Sequence, residues 1–175
     1  MNLIVISELF PPEETSTAYI MGEITKTLSD KYNVTIVCGP EVYDQNKLTV
    51  LPKSSLIAGV TTIRVKGIKE NKANKLSRIR KFLLMSWRLY KASKKVINKG
   101  DKVLLVSNPF PLLILMAFHR KKMDYEISFL AHDLFPEPLL MRFKLPNLVY
   151  RQCLNIFNIS YARMDKIISL GRDMT

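Results

Sequence analysis

The sequence has 175 residues, of which 47% are hydrophobic and 24% charged, a composition that excludes disordered and fibrous proteins. This length suits one domain, predicted to span residues 1–175. The formal net charge of +12 is concentrated in residues 66–99, where twelve basic residues face one acidic residue, a net of +11. A basic segment of this kind is either a solvated surface or a surface for a partner with negative charge.

The two cysteines and the apolar segments limit where the protein acts. Cys38 and Cys153 lack CxxC or CxxH spacing, which argues against a disulfide scaffold or zinc site and fits a reducing compartment. The N-terminus lacks a signal-peptide pattern. The longest apolar stretch, Val103–Phe118, is interrupted by prolines and is shorter than the roughly 20 residues of a membrane span. We therefore expect a cytoplasmic protein, either soluble or peripheral to a membrane.

Strand-like and helix-like segments alternate along the chain. The predicted strands are Leu3–Ser7, Val34–Cys38, Thr61–Lys66, Val103–Val106, Tyr125–Leu130 and Lys166–Leu170. The predicted helices run from Thr15 or Ser16 to Asp30, through a basic segment that ends at Gly100, and over Leu112–His119 and Leu148–Ala162. This order predicts an α/β fold with a Rossmann-like, doubly wound, mainly parallel sheet of about six strands and helices on both faces.

Ligands of such sheets bind beyond the carboxyl ends of the strands. The loops expected there are Glu8–Thr17, Gly39–Asp44, Ser107–Pro111 and Ala131–Pro138. The first of these loops has no glycine, which argues against a dinucleotide-binding site. Its end offers Thr15, Ser16 and Thr17 at a predicted helix N-terminus, where hydroxyls and backbone N–H groups either contact a phosphate or sugar or simply cap the helix.

A histidine and a carboxylate directly follow the fifth predicted strand. His132 and Asp133 are placed to donate a proton to a leaving group or to bind hydroxyls. The alternative is a loop histidine satisfied by the backbone and an aspartate that caps the next turn. His119 precedes Arg120-Lys121-Lys122 and is predicted to be solvated. HExxH, GxSxG and P-loop patterns are missing, which argues against those hydrolases and NTPases.

The basic segment has helical periodicity. The stripe predicted to face the core contains Ile79, Phe82, Leu83, Ser86, Leu89, Tyr90, Ser93 and Ile97. The opposite face is predicted to carry Arg80, Lys81, Arg88, Lys91 and Lys95, with Leu84 among them and Trp87 on the flank. Three interpretations stay open: a solvated outer face, a helix on an anionic membrane surface into which Leu84 and Trp87 dip, and a nucleic-acid site. Nucleic acid is the least favoured, because no stacking platform or RNP-like motif accompanies the charge.

Three ordered motifs resemble one enzyme family. They are Phe10-Pro11-Pro12-Glu13-Glu14-Thr15, Ser107-Asn108-Pro109-Phe110-Pro111 and His132-Asp133-Leu134-Phe135-Pro136-Glu137. Together with the closing stretch Asp165–Met174, they resemble the N-terminal half of a retaining GT-B glycosyltransferase of the family-4 type. The resemblance is to bacterial enzymes of capsule, O-antigen and colanic-acid synthesis.

This resemblance implies the acceptor-side domain of a sugar transferase. A second domain with an E-x7-E pattern, absent from this chain, would bind the nucleotide-sugar donor, so the chain alone is expected to be inactive. The resemblance implies that His132 contacts the donor sugar or leaving phosphate and that Asp133 positions it or binds acceptor hydroxyls. It implies substrate-binding positions at Glu13, Thr15, Ser16, Thr17 and Asn108.

The resemblance also implies the partners. These are a nucleotide-sugar donor, a lipid-linked or saccharide acceptor, and the anionic inner face of the cytoplasmic membrane, with no cofactor and no metal. One departure bears on the site, because Ser16 stands where the family usually has a glycine that approaches the donor phosphate. A non-catalytic Rossmann-like module that recruits a membrane or partner therefore remains an alternative.

Overall fold

The computed structural model describes residues 1–41, 57–69, 71, 74–120, 123–133, 135 and 146–169. The strands there are β1 (Asn2–Ser7), β2 (Asn33–Cys38), β3 (Val60–Arg64), β4 (Lys102–Val106), β5 (Glu126–Ala131) and β6 (Lys166–Ser169). The helices there are α1 (Ser16–Ser29), α2 (Lys75–Ser93), α3 (Pro111–Arg120) and α4 (Asn147–Tyr161). The predicted α/β Rossmann-like fold is confirmed.

The six strands form one parallel sheet in the order β3-β2-β1-β4-β5-β6. The chain moves outward from β1 to β3 and then returns through α2 to place β4 on the other side of β1. This reversal between β1 and β4 is the switch point at which open α/β sheets form a ligand crevice. A ligand crevice is therefore expected at the loops that follow β1, β4 and β5.

The sheet buries apolar residues on both faces. Ile4 and Ile6 point into a cluster with residues of α2, α3 and α4, whereas Leu3 and Val5 join a cluster that includes Met21 of α1. A strand with apolar side chains on both faces appears in the sequence as a continuous hydrophobic run, like the one near the N-terminus. Three helices thus cover one face, and α1 covers part of the other.

The first loop and α1 fit together closely. The hydroxyl of Thr15 accepts a hydrogen bond from the backbone N–H of Ala18 at 3.2 Å, which confirms Thr15 as the N-cap. Gly22 is buried, and a Cβ atom there would lie 2.8 Å from Cγ of Pro11. The glycine therefore allows the loop to lie directly against the helix.

Helix α2 differs from its prediction in its end and in its orientation. It ends at Ser93, and Gly100, with a φ of +82°, lies in the turn before β4. Ile79 and Leu83 were predicted in the core but are exposed, Leu83 to 55%. Lys81 was predicted on the solvent face but is only 5% exposed, because it shares a face with the buried Met85 and Leu89 at i+4 and i+8.

The prediction of a solvated His119 is also wrong. His119 is 7% exposed, and its Nδ1 lies 3.2 Å from the hydroxyl of Tyr125. The ring of Tyr90 contacts it edge-on. The basic run that follows misled the prediction, since His119 itself continues the buried face of α3 that carries Leu112 and Met116.

Some sequence predictions lie outside the described residues. They include Leu134, Pro136 and Glu137 of the third motif, most of the segment between β2 and β3, and residues 170–175 of the closing stretch.

Candidate functional site

Hydrogen bonds join the loops after β1 and β4 across the switch point. The backbone N–H of Glu8 donates to the carbonyl of Asn108 at 3.4 Å, and the carbonyl of Glu8 accepts from Gly39 at 3.0 Å. The loops after β1, β2 and β4 are therefore connected through one residue. Asn108 is half-buried at this junction, so the structure places this predicted binding residue beside the first loop.

Arg64, the last residue of β3, reinforces the same junction. Its Nη2 donates to the carbonyl of Pro11, and its Nη1 donates to the carbonyl of Gly39 at 3.4 Å. Nε lies 3.9 Å from a carboxylate oxygen of Glu41. Gly39 has no room for a side chain, because a Cβ atom would lie 2.4 Å from the carbonyl oxygen of Glu8. These contacts fix the first loop relative to the edge of the sheet.

The first loop ends at the exposed N-terminus of α1. Ser16 is the first helical residue and is exposed, and Thr17 and the preceding Glu13 are half-buried. Every non-glycine residue among those described has a negative φ, so the backbone at Ser16 does not demand a glycine. Backbone N–H groups of a first helical turn have no acceptor inside the helix. This end of α1 therefore offers donors to an anionic group.

His132 and Asp133 leave β5 next to the loop after β4. Both backbone N–H groups donate to the hydroxyl of Ser107, at 3.2 Å from His132 and 3.4 Å from Asp133. Ser107 is buried at the end of β4, and its own N–H donates to the carbonyl of Leu130. Ser107 thus fixes the backbone where the chain leaves β5, and this backbone orients His132. Asp133 is exposed.

The imidazole of His132 is half-buried, and its Nε2 is shielded from water with no hydrogen-bond partner among the described residues. Burial lowers the pKa of His132, and the nearby charge of Asp133 opposes that shift. The ring is therefore neutral near pH 7. A neutral imidazole with an unused ring nitrogen can donate to or accept from a hydroxyl or phosphate oxygen.

The fold brings the predicted residues to one edge in two groups. Parallel strands end about 4.8 Å apart, so the loops after β1, β4 and β5 are consecutive neighbours. Glu13, Thr15, Ser16 and Thr17 belong to the first group, which Asn108 contacts through Glu8. His132 and Asp133 form the second group, one strand further from β1. The roles assigned to these residues remain predictions.

Three residues at this edge were not among the predicted site residues. Glu8 and Ser107 are buried directly after buried strands, the position that identified His132. Applying that rule to every strand would have found both. Arg64 follows a less apolar strand, and only the structure shows that its guanidinium spans two loops.

The basic helix α2 is separate from these loops and has two exposed parts. An exposed apolar row along its first four turns contains Leu76, Ile79, Leu83, Leu84 and Trp87. Of the predicted outer face, Arg80, Lys91 and Lys95 are exposed, whereas Arg88 is half-buried and Lys81 is buried. Helix α2 contains no acidic residue.

Among the described residues, no group of three or more His, Cys, Asp or Glu side chains could hold a metal ion. No helix in the described part of the chain combines the length and apolar character needed to cross a bilayer.

Known proteins are similar to this chain in sequence and in fold. Over 99% of its length the chain is 24% identical to a Pseudomonas aeruginosa protein named "Probable glycosyltransferase WbjE", and it spans 42% of that relative. The N-terminal domain of Candida albicans trehalose-6-phosphate phosphatase superposes with a TM-score of 0.59 and 13% identity, over 95% of this chain and 39% of that one. No protein-family model matches the sequence.

These comparisons have different weight. At 13% identity, the structural similarity shows the α/β fold alone. The sequence similarity covers nearly the whole chain, although it covers less than half of the relative. The comparisons therefore support a glycosyltransferase at the level of general class.

Proposed function

We propose that this chain is the acceptor-side domain of a retaining glycosyltransferase of the GT-B, family-4 type. The complete enzyme would move a sugar from a nucleotide-sugar to a lipid-linked or saccharide acceptor in bacterial surface polysaccharide synthesis. The observation that carries the proposal is the similarity to a glycosyltransferase across 99% of the chain. The Rossmann-like strand order and the His132 loop beside the switch point are consistent with it.

In this proposal, His132 and Asp133 contact the two substrates. The neutral ring of His132 contacts the donor sugar or the departing phosphate. Asp133 orients that ring or binds acceptor hydroxyls. Polar groups that the folded enzyme already holds in position stabilise the positive charge that develops at the sugar carbon. They also stabilise the negative charge on the leaving diphosphate.

The first loop and Asn108 form the wall of the proposed acceptor side. Glu13 accepts from sugar hydroxyls, and Thr15, Ser16 and Thr17 face the cleft from the start of α1. Most contacts to the nucleotide belong to a second domain of the longer protein. No cofactor or metal takes part in the proposed reaction.

The test measures nucleotide release by the complete protein. We expect it to release nucleoside diphosphate from one member of a nucleotide-sugar panel when bacterial lipid extract supplies the acceptor. His132→Asn should reduce the rate about 100-fold or more, the usual contribution of a positioned proton-transfer group. Lys26→Gln, on the exposed face of α1, is the control and should leave the rate unchanged.

Two results would contradict the proposal. Equal rates for His132→Asn and the control would remove His132 from the reaction. No release from any donor, by a folded protein that still binds vesicles, would favour the non-catalytic binding module.

We also propose that helix α2 rests on the anionic inner face of the cytoplasmic membrane. Its acid-free sequence, exposed cations and exposed apolar row are the pattern of an interfacial helix. Replacing Arg80, Arg88, Lys91 and Lys95 by Gln should strongly weaken sedimentation with anionic vesicles, since each cation near such a surface contributes about 1 kcal/mol. Unchanged sedimentation would overturn this part of the proposal.

A further inference from the structure

A groove beside the second half of α2 is lined mainly by basic residues. Its volume is about 640 Å³, and it lies between this helix and the segment that follows β3. We call it the basic groove and define it by Val65, Lys66, Arg88, Lys91, Ala92, Lys94 and Lys95. Five of these seven residues are basic and none is acidic.

Contacts to neutral groups hold three of these cations in position. Nη1 of Arg88 donates to the carbonyls of Lys66 and Gly67, at 2.8 and 2.9 Å. The ammonium of Lys91 lies 5.5 Å from the ring centroid of Trp87, and that of Lys94 lies 5.8 Å from Tyr90. These contacts order the side chains without neutralising them.

The cations of the groove have no carboxylate partner in the described part of the chain. The ion pairs found there involve Arg64, Lys99, Lys102, Arg120 and Lys166, none of which lines the groove. Ordered cations without counter-charges favour a ligand with several anionic oxygens.

The groove borders the exposed apolar row, and this continuity indicates the kind of ligand. Trp87 belongs to that row and is 46% exposed. The ammonium of Lys91, a groove residue, lies over the Trp87 ring. A lipid presents a phosphate and an acyl chain side by side, which fits a charged groove next to an apolar surface. A free phosphate or a nucleic acid would leave the apolar row exposed to water.

We propose that the basic groove binds the phosphomonoester headgroup of an anionic lipid. The inference rests on the proposed membrane docking of α2 and gives that surface one discrete headgroup site. A phosphomonoester carries about −1.5 to −2 charges and three terminal oxygens, so it engages more of the ordered cations than a phosphodiester does. Diffuse attraction to a charged surface predicts no such preference.

The experiment compares two vesicle compositions of matched surface charge, one containing phosphatidic acid and the other phosphatidylglycerol. We expect the protein to bind the phosphatidic acid vesicles about fivefold more tightly, the ratio that one further charge-assisted hydrogen bond would give. Lys91→Gln/Lys95→Gln should bring the ratio to about one. The control Lys26→Gln/Lys31→Gln removes two exposed charges elsewhere and should keep the preference.

Each other outcome has a definite meaning. Equal binding of both vesicles by the unmodified protein, or a preference that survives Lys91→Gln/Lys95→Gln, overturns the headgroup site and leaves membrane docking intact. Failure to bind either vesicle overturns the docking itself. Inorganic phosphate or a single-stranded oligonucleotide that binds the groove as tightly as the lipid overturns the assignment to a lipid.

Discussion

His132 combines burial with an unused ring nitrogen at the edge of the sheet. Burial lowers the pKa of its imidazole, while Asp133 partly offsets that effect. The folded state therefore binds a proton on His132 less readily than the unfolded state does. This difference can be measured without knowing the substrate.

We predict that His132 titrates below the value of about 6.5 typical of a solvated histidine. Replacing Asp133 by Asn should lower the midpoint further, since the carboxylate favours the protonated ring. The measurement is an NMR titration of the two imidazoles, assigned with His132→Gln. A midpoint at or above 6.5, or an increase on Asp133→Asn, would show that burial does not dominate.

The same shift predicts a pH dependence of stability. Because the folded pKa is below the unfolded one, the unfolded chain takes up the extra proton as pH falls. The free energy of unfolding should therefore decrease as pH falls through about 6.5, until the folded pKa is passed. The variant His132→Gln lacks this titration. As the pH falls from 7.5 to 5, the unmodified chain should therefore lose unfolding free energy relative to His132→Gln, as measured by urea denaturation. A pH-independent difference would contradict the assignment.

Arg64 makes another residue-level prediction. Arg64→Ala removes hydrogen bonds to the carbonyls of Pro11 and Gly39, so the free energy of unfolding should fall by about 2–3 kcal/mol. Arg151→Ala removes an exposed arginine of α4 and should change stability by no more than about 0.5 kcal/mol. Urea unfolding compares them, and equal effects would mean that Arg64 does not hold the loops.

At the scale of elements, α2 shows what periodicity can and cannot determine. The sequence correctly predicts a helix with one buried stripe, and Ser86, Leu89 and Ser93 lie on it. It places Ile79 and Leu83 on the same stripe, although they are exposed. Apolar residues nearly surround the first turns of α2, so spacing alone cannot say which of two adjacent apolar rows meets the sheet.

This distinction predicts different stability effects for two leucines of α2. Leu89→Ala should lower the free energy of unfolding by about 2–5 kcal/mol, because Leu89 is fully buried. Leu83→Ala should change it by no more than about 0.5 kcal/mol, since Leu83 is mostly exposed. Urea denaturation of both variants tests this, and a large loss at Leu83 would return that residue to the core.

The sheet was easier to predict than its loops. Continuous apolar runs such as Leu3–Ser7 identify buried parallel strands, and the structure contains every strand that was predicted. The positions of His132 and Asn108 followed from the strands that precede them. The contact of Arg64 with Pro11 joins residues 53 positions apart, and no local pattern in the sequence reports a contact over that separation.

At the scale of the whole molecule, part of the basic segment and one exposed apolar row coincide on α2, while the candidate site lies at the carboxyl ends of the strands. Residues 66–99 hold a net +11 of the total +12. The apolar row on α2 faces solvent on the same element. In the proposed function, one surface contacts a bilayer and another binds a small ligand, and α2 contributes both to the fold and to the first surface.

The two contributions to bilayer binding should separate with salt. Screening shortens the reach of exposed charges from about 10 Å at 0.1 M to about 3 Å at 1 M ionic strength, whereas apolar contact with lipid persists. We therefore predict that 1 M NaCl weakens, but does not abolish, binding to anionic vesicles. In Leu83→Ser/Trp87→Ser the residual binding should disappear, because two exposed members of the apolar row are lost. Tyr19→Ser/Ile20→Ser removes exposed apolar residues of α1 and is the matched control. Vesicle sedimentation in 0.1 and 1 M NaCl measures both effects, and residual binding that survives Leu83→Ser/Trp87→Ser would exclude the apolar row from the bilayer contact.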